Sequence, residues 1–318
     1  MGLAAATFTG SNGYLWYLAQ KTFSPETSAD PLIRHDPSII IIDPAQDSER
    51  PVIVAASSGD LANVTAGHSP RSTGQGAVSP VVSVADKVRN FENEFSDDVY
   101  LDTAEHILML SVLTRLKRVE QTIGHGNYNV VGFDEVLKHA RYQSHIGRFS
   151  ATELDFIDKI FNTAARDYGF YGEKVTTELT AKIKTHERIK IPYTGHYLLK
   201  DTSLAHYEKL KKAVGRGVIL TSGIRSNVKQ MHLFLAKAVA SNYNLSKASR
   251  SLAPPGHSFH GVGDYDVGKM GWGVANFTQR FETTDEFKRM QDLGYIQIRY
   301  TKDNRLGVRF EPWHIKVV

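Results

Sequence analysis

At 318 residues the chain is long enough for a sizeable core and for two domains. It has no cysteine, which excludes disulfides and thiolate metal sites and leaves His, Asp and Glu as metal ligands. The formal net charge of +4 suits an anionic partner, but lysines and arginines are interspersed with acids and no basic stripe carries interleaved aromatics, which argues against a nucleic-acid interface.

The N-terminal residues 3–19 are mildly apolar. Thr7, Thr9, Ser11 and Asn12 interrupt them and no basic residue precedes them, so they make a poor signal peptide. No apolar run reaches the roughly 20 residues of a membrane span. Residues 1–85 hold Ser-, Ala-, Gly- and Pro-rich stretches, notably Ala55 to Pro80. Such composition buries too little apolar surface to offset chain entropy, and a flexible segment is expected. Ile39 to Ile42 interrupts it as a candidate short strand.

From Asp86 the pattern turns helical. Ile107, Leu110, Leu113, Leu116 and Val119 recur at three-residue spacing, with Leu108 and Val112 beside them, which predicts one broad apolar helix face. Ser150 followed by Glu153 reads as a capping box. Leu154, Ile157, Ile160 and Phe161 line the helix it opens, and Gly169 or Gly172 is the expected stop. Residues 86–185 are thus a helical region, either a scaffold or a module for binding wall or partner.

Residues 186–318 change character. Thr202 or Ser203 caps a helix reaching Val214, ended by Gly215 and Gly217. Val218 to Thr221 is a short buried strand, and Ser222-Gly223-Ile224-Arg225-Ser226 the turn after it. Ser226 caps the next helix, whose core face is Met231, Phe234, Leu235 and Ala238. Thr283 with Glu286 marks another helix start and Gly294 its end. Tyr295 to Tyr300 and Leu306 to Phe310 read as two strands joined by a turn over Lys302 to Arg305. The expected class is α+β: helices packed on one small antiparallel sheet.

Two clusters in this part bear chemistry. Residues 254–268 read Pro-Pro-Gly-His-Ser-Phe-His-Gly-Val-Gly-Asp-Tyr-Asp-Val-Gly, and residues 311–314 read Glu-Pro-Trp-His. Two imidazoles and a carboxylate can hold zinc in three positions and leave a fourth open, the arrangement that hydrolysis needs. A competing reading is ordinary His and Asp residues satisfying hydrogen bonds in a glycine-rich loop. Glu311 and His314 would point to opposite faces of a straight strand, and Pro312 can bend the chain so that both reach one centre.

The clusters resemble the zinc D-Ala-D-Ala metallopeptidases, the family of the vancomycin-resistance D,D-carboxypeptidases (VanY-type), related to lysostaphin and the hedgehog zinc domain. The family motifs are S-x-H-x-x-G-x-A-x-D and E-x-W-H. Ser258, His260 and Gly263 match the first motif's leading positions, and Glu311, Trp313 and His314 match the second. The family places six residues between its His and Asp; His260 and Asp266 have five between them. The resemblance implies His260, Asp266 and His314 as zinc ligands, with Asp264 the alternative to Asp266, and Glu311 as general base and then acid. It selects His260 over His257, which is left to line the pocket or face solvent. Arg225 matches the arginine of the family's S-G-x-R-S turn, implying an oxyanion or substrate-carboxylate contact. Ser258 either orients the His260 loop or contacts substrate, and Gln230 is a candidate substrate contact. Trp313 either touches substrate or packs beneath the site. The implied fold is hedgehog/D-Ala-D-Ala-peptidase-like. The implied activity is hydrolysis of peptidoglycan stem peptides at the cell envelope, a D,D-carboxypeptidase first, with L,D-carboxypeptidase or endopeptidase as alternatives. A zinc-bearing binding module without peptidase activity is the reading from another class.

Overall fold

The computed structural model describes residues 82–294 and 296–317. Most of the expected flexible segment 1–85, with the Ile39–Ile42 strand, lies outside them. The architecture is α+β, with helices leading into two small antiparallel sheets. Among the described residues no helix is long and apolar enough to cross a membrane.

After α1 (Val84–Arg89) comes the long α2 (Thr103–Ile123). Asp102 and Glu105 close a reciprocal cap at its start, which satisfies two donors that would otherwise be orphaned. Its core face differs from the expected one. Met109, Val112, Leu113, Leu116 and Val119 are buried, while Ile107 is 60% exposed. Three-residue spacing gains on the 3.6-residue turn, so Ile107 has rotated off the face that Leu116 and Val119 share.

The short α3 (His125–Tyr128), α4 (Phe133–Tyr142) and α5 (Ala151–Asn162) follow. The Ser150–Glu153 capping box of α5 forms as read. The helix ends at Asn162 rather than at Gly169 or Gly172. Thr163 closes it by donating its backbone N–H to Lys159 O at 2.9 Å, and Gly169 instead closes the short 3-10 turn Ala165–Tyr168.

β1 (Arg188–Lys190) pairs with β2 (Tyr197–Leu199). Next come α6 (Ser203–Val214), β3 (Val218–Ser222), α7 (Asn227–Ala240) and α8 (Leu245–Ser249). Ser226 caps α7 through its hydroxyl, which accepts from Lys229 N at 3.2 Å. β4 (Tyr265–Lys269) lies between β3 and β5 (His314–Ile315) in a three-stranded antiparallel sheet. α9 (Asp285–Asp292) begins one residue later than expected, because the Thr284 hydroxyl takes the cap by accepting from Phe287 N.

Tyr295 lies outside the described residues, and among the described residues 296–300 and 306–310 the expected hairpin does not form. Its arms find other backbone partners. Tyr300 O accepts from Glu311 N at 3.0 Å, and Gln297 O from Lys316 N at 2.7 Å. The second arm ties to distant loops, through Tyr171 N to Leu306 O and Arg309 N to Arg250 O.

Among the described residues there are three apolar clusters, two large and a small one around Phe170, Tyr300 and Val308. The first joins α2, α4 and α5 to the buried face of α7, for instance Met109, Leu116 and Ile157 with Met231, Phe234 and Leu235. The region 86–185 thus shares a core with a helix of 186–318. The second cluster lies under the three-stranded sheet and holds Leu220, Tyr265, Val267, Trp313 and Ile315. One buried ion pair crosses the first: Lys229 on α7 donates to Glu120 on α2 at 2.8 Å. Unpaired, either charge would cost several kcal/mol.

Two histidines are held neutral in this interior. Burial first, then the nearby Lys229 and Arg225 cations, push His196 down to about 3. Burial likewise lowers His232 to about 4, against the pull of Glu120. The unfolded chain protonates these groups near 6.5 and the folded chain does not, so it is the unfolded state that gains protons as pH falls. The stability these two histidines contribute is therefore complete above about pH 7 and should be lost between about pH 6.5 and 4, offset in part by Glu311, whose raised carboxyl acts with the opposite sign over that window. The slope should approach 1.4 kcal/mol per pH unit for each histidine. Urea titrations with a chelator present, from pH 7.5 to 4.5, measure this; a flat profile would contradict the assignment.

Candidate metal centre

The central strand β4 sorts its side chains by alternation. Tyr265 and Val267 enter the apolar cluster, so Asp266 between them faces the other way. The register sets Asp266 directly opposite His314 on β5 and beside Ser222 on β3. His260 arrives from the 3-10 turn Phe259–Gly261, and Gly263 turns the chain into β4 with φ +128°, a conformation that suits glycine.

His260, Asp266 and His314 are buried, and one ligand atom from each lies within 4.8 Å of the others. Their hydrogen bonds fix which atoms face inward. His260 Nδ1 lies 2.8 Å from Gly223 O; a carbonyl only accepts, so Nδ1 carries the proton and Nε2 keeps its lone pair. The Gly223 backbone itself packs against Tyr197 O, where a Cβ would collide. His260 Nε2 is 3.2 Å from Asp266 Oδ1, and His314 Nδ1 is 3.4 Å from the same oxygen. Neither His260 Nε2 nor Asp266 Oδ1 has a hydrogen-bond partner although both are buried. Orphaned buried polar atoms are costly, and two facing one point mark a place for a cation. Two imidazoles and one carboxylate, with no thiolate available, are a donor set that fits an open zinc site.

Burial alone would raise Asp266. His260 and Arg225 outweigh it and hold the carboxyl ionised, lowered to about 2. Arg225 Nη2 donates to Asp266 Oδ2 at 2.7 Å, which leaves Oδ1 for the centre. Arg225 also donates from Nε to Ser222 Oγ at 3.0 Å and from Nη1 to Gln230 Oε1 at 3.4 Å. Gln230 is anchored in turn by donating to Ala253 O at 2.6 Å. The guanidinium is therefore fixed beside the centre rather than solvated in its turn.

Glu311 reaches the same centre. A turn at Pro312–Trp313, closed by His314 N–H to Glu311 O at 3.1 Å, puts Glu311 Oε2 3.6 Å from His314 Nδ1. Burial pushes its carboxyl up to about 7, against the pull of Arg309 and His314. A carboxyl that titrates near neutrality suits proton transfer in both directions.

Trp313 is 3% exposed in the cluster beneath the sheet, its ring 6.2 Å from Phe277. Ser258 is also buried, at the entry to the His260 turn. His257 does not join the centre and does not face solvent. Its Nδ1 bonds Glu173 O at 3.0 Å and its ring meets Phe170 edge-on. Asp264 stands outside the three-residue cluster, behind His314: its Oδ2 is 3.1 Å from His314 Nε2 and 2.6 Å from Arg299 Nε. Arg299 and Tyr300, whose ring lies 4.9 Å from that of His314, carry no motif and escape sequence reading.

No curated protein matches the chain. Solved structures with similarity include that of the LdcB LD-carboxypeptidase, at 25% identity, TM-score 0.34, over 41% of this chain and 62% of that one. Two others are a mutant of the vancomycin-resistance D,D-pentapeptidase VanY from a VanB-type cassette with Zn(II), at 24% identity and TM-score 0.32, and VanYB with D-alanine-D-alanine, at 24% and 0.34. These two matches cover 42% of this chain and 78% and 77% of the others. The chain thus spans less than two thirds of the LD-carboxypeptidase. The resemblance carried by the two histidine motifs extends well beyond them: residues 196–318, which hold every group of the centre, match the VanY D-alanyl-D-alanine carboxypeptidase family.

Proposed function

We propose that the chain is a zinc peptidase of the cell envelope that removes the terminal D-alanine from peptidoglycan stem peptides. The observation that carries this reading is the pair of orphaned, buried ligand atoms, His260 Nε2 and Asp266 Oδ1, converging with His314 Nδ1. The match of residues 196–318 to the VanY D-alanyl-D-alanine carboxypeptidase family supplies the substrate class.

In this reading His260, Asp266 and His314 hold the metal. Bound zinc supplies a Lewis acid and lowers the pKa of water from about 15.7 toward 7. Glu311 takes a proton from the attacking water and passes it to the leaving amine, a task its position and its titration near neutrality both suit. Arg225 keeps Asp266 ionised and aimed, and its fixed guanidinium is placed to steady developing negative charge. Gln230 accepts from Arg225, the Ser258 backbone carbonyl accepts from Gly261 N–H at the start of the His260 turn, and Trp313 packs beneath the sheet as a platform.

Metal analysis of the purified protein, with mass spectrometry of stem peptides before and after incubation, tests the reading. One zinc per chain and loss of one alanine from a pentapeptide are expected. Loss from a tetrapeptide instead would assign L,D specificity, and cleavage of a cross-link an endopeptidase. Peptide binding with no cleavage at all would make the domain a binding module.

Arg225 has its own expected result. Arg225→Ala should cost about 2.7–4 kcal/mol of transition-state stabilisation, the range of a single oxyanion-hole donor, and Arg225→Lys should recover only part of it. Steady-state kinetics on both variants decide; unchanged turnover in Arg225→Ala would reduce the residue to an ion-pair partner of Asp266.

A further inference from the structure

We propose that Asp264, clamped by Arg299, is a positioning residue of the metal centre that fixes the ring orientation and tautomer of His314. The inference rests on the zinc reading above and concerns two groups that the ligand set does not include.

The geometry is a bracket. Asp264 and Asp266 are two residues apart where the chain enters β4, so both carboxylates meet the same ring from opposite ends. Asp266 Oδ1 lies 3.4 Å from His314 Nδ1, and Asp264 Oδ2 lies 3.1 Å from His314 Nε2. Arg299 and the Val317 backbone N–H donate three hydrogen bonds to Asp264, the surroundings of a carboxylate rather than of a carboxylic acid. An ionised carboxylate can only accept, so His314 Nε2 must carry the proton. With the proton fixed on Nε2, Nδ1 is the nitrogen that can offer a lone pair to a metal on the side of Asp266 and His260. A partner on the far nitrogen of a ligand histidine fixes the tautomer and makes the near nitrogen a better donor.

Asp264 is itself immobilised. Arg299 grips it with two donors, Nε to Oδ2 at 2.6 Å and Nη2 to Oδ1 at 3.1 Å, and Val317 N donates to Oδ1 at 2.8 Å. The Arg299 guanidinium stacks 3.6 Å from the centre of the Phe259 ring, next to His260, while its backbone N–H bonds His314 O at 3.4 Å. Arg299 thus ties together the segments that carry His260, Asp266 and His314. A forked guanidinium can do this; a lysine ammonium, being a point charge, cannot.

The test compares wild type, Asp264→Ala, Asp264→Asn and Arg299→Lys by competition with a zinc chelator and by nitrogen NMR of the histidine rings in the metal-free protein. Wild type should show His314 protonated on Nε2. Asp264→Ala should bind zinc 10- to 100-fold more weakly, the usual loss for such a partner, while still reaching one zinc per chain at saturation. Asp264→Asn retains an acceptor oxygen and should recover part of the affinity, and Arg299→Lys should weaken binding with Asp264 still present. If wild type binds one zinc and Asp264→Ala binds it equally well, the positioning role is overturned and the zinc reading stands. If wild type binds no zinc, both fall. Complete loss of stoichiometric zinc in folded Asp264→Ala would make Asp264 a ligand. Should Asp264→Ala fail to fold, a wild-type His314 without a proton on Nε2 would by itself overturn the proposal.

Discussion

His260→Ala and His314→Ala should each lose stoichiometric zinc and all measurable peptide cleavage. Each removes one of three donors, and the remaining two cannot hold the ion in competition with solvent ligands. The loss in affinity should exceed the 10- to 100-fold typical of an outer partner such as Asp264. Asp266→Ala should lose zinc too, and it should do something the histidine variants do not. Arg225 donates to Asp266 in a pocket where the carboxylate is fully enclosed, so removing it strands a largely buried guanidinium. Breaking such a pair costs about 3–5 kcal/mol. Asp266→Ala should therefore melt well below wild type even when both are metal-free, whereas the histidine variants should differ from wild type mainly when zinc is present. Metal analysis and thermal melts with and without chelator measure both effects. The ligand assignment would be wrong if folded Asp266→Ala kept one zinc per chain while Asp264→Ala could not be loaded.

Glu311→Gln should separate proton transfer from metal binding. Glutamine preserves the shape but cannot take up a proton. Glu311 is buried with its carboxyl raised to about 7, so replacing it with a neutral group should leave stability unchanged or raised. The variant should fold, hold one zinc and bind stem peptide with affinity close to that of wild type. Turnover should fall by about 100- to 10,000-fold, the usual contribution of a positioned acid–base group. The drop should appear in kcat with little change in substrate affinity, the signature of a group acting only in the transition state. Zinc analysis, calorimetric titration with stem peptide and steady-state kinetics give the three readouts. If Glu311→Gln cannot hold zinc, the glutamate belongs to the ligand set; if it turns over like wild type, the proton is carried elsewhere.

The sequence by itself determined those features in which local chemistry and final structure agree. The capping box at Ser150–Glu153, the Ser226 cap of α7 and the buried strand from Val218 each follow from neighbours within a few residues. The residues of the centre were legible as motifs, and the bend at Pro312 follows from the missing N–H of proline. Tertiary structure decided what depends on distant partners. Leu306 to Phe310 have strand-like composition, yet their backbone bonds go to Tyr171 and Arg250, so no hairpin forms. Ile107 matches its helix's apolar spacing and ends on the outside, because packing against α5 and α7 selects the face. The choice between Asp264 and Asp266 is of the same kind. Both stand near the end of a glycine-rich loop, where only the family resemblance favoured Asp266 over Asp264. The pairing of β4 with β5 sets Asp266 across from His314 Nδ1, and Arg299, which lies 35 residues away in sequence, holds Asp264 against the opposite nitrogen. Pairing register and long-range charge are properties of the folded chain, so the ring's two ends could be told apart only there.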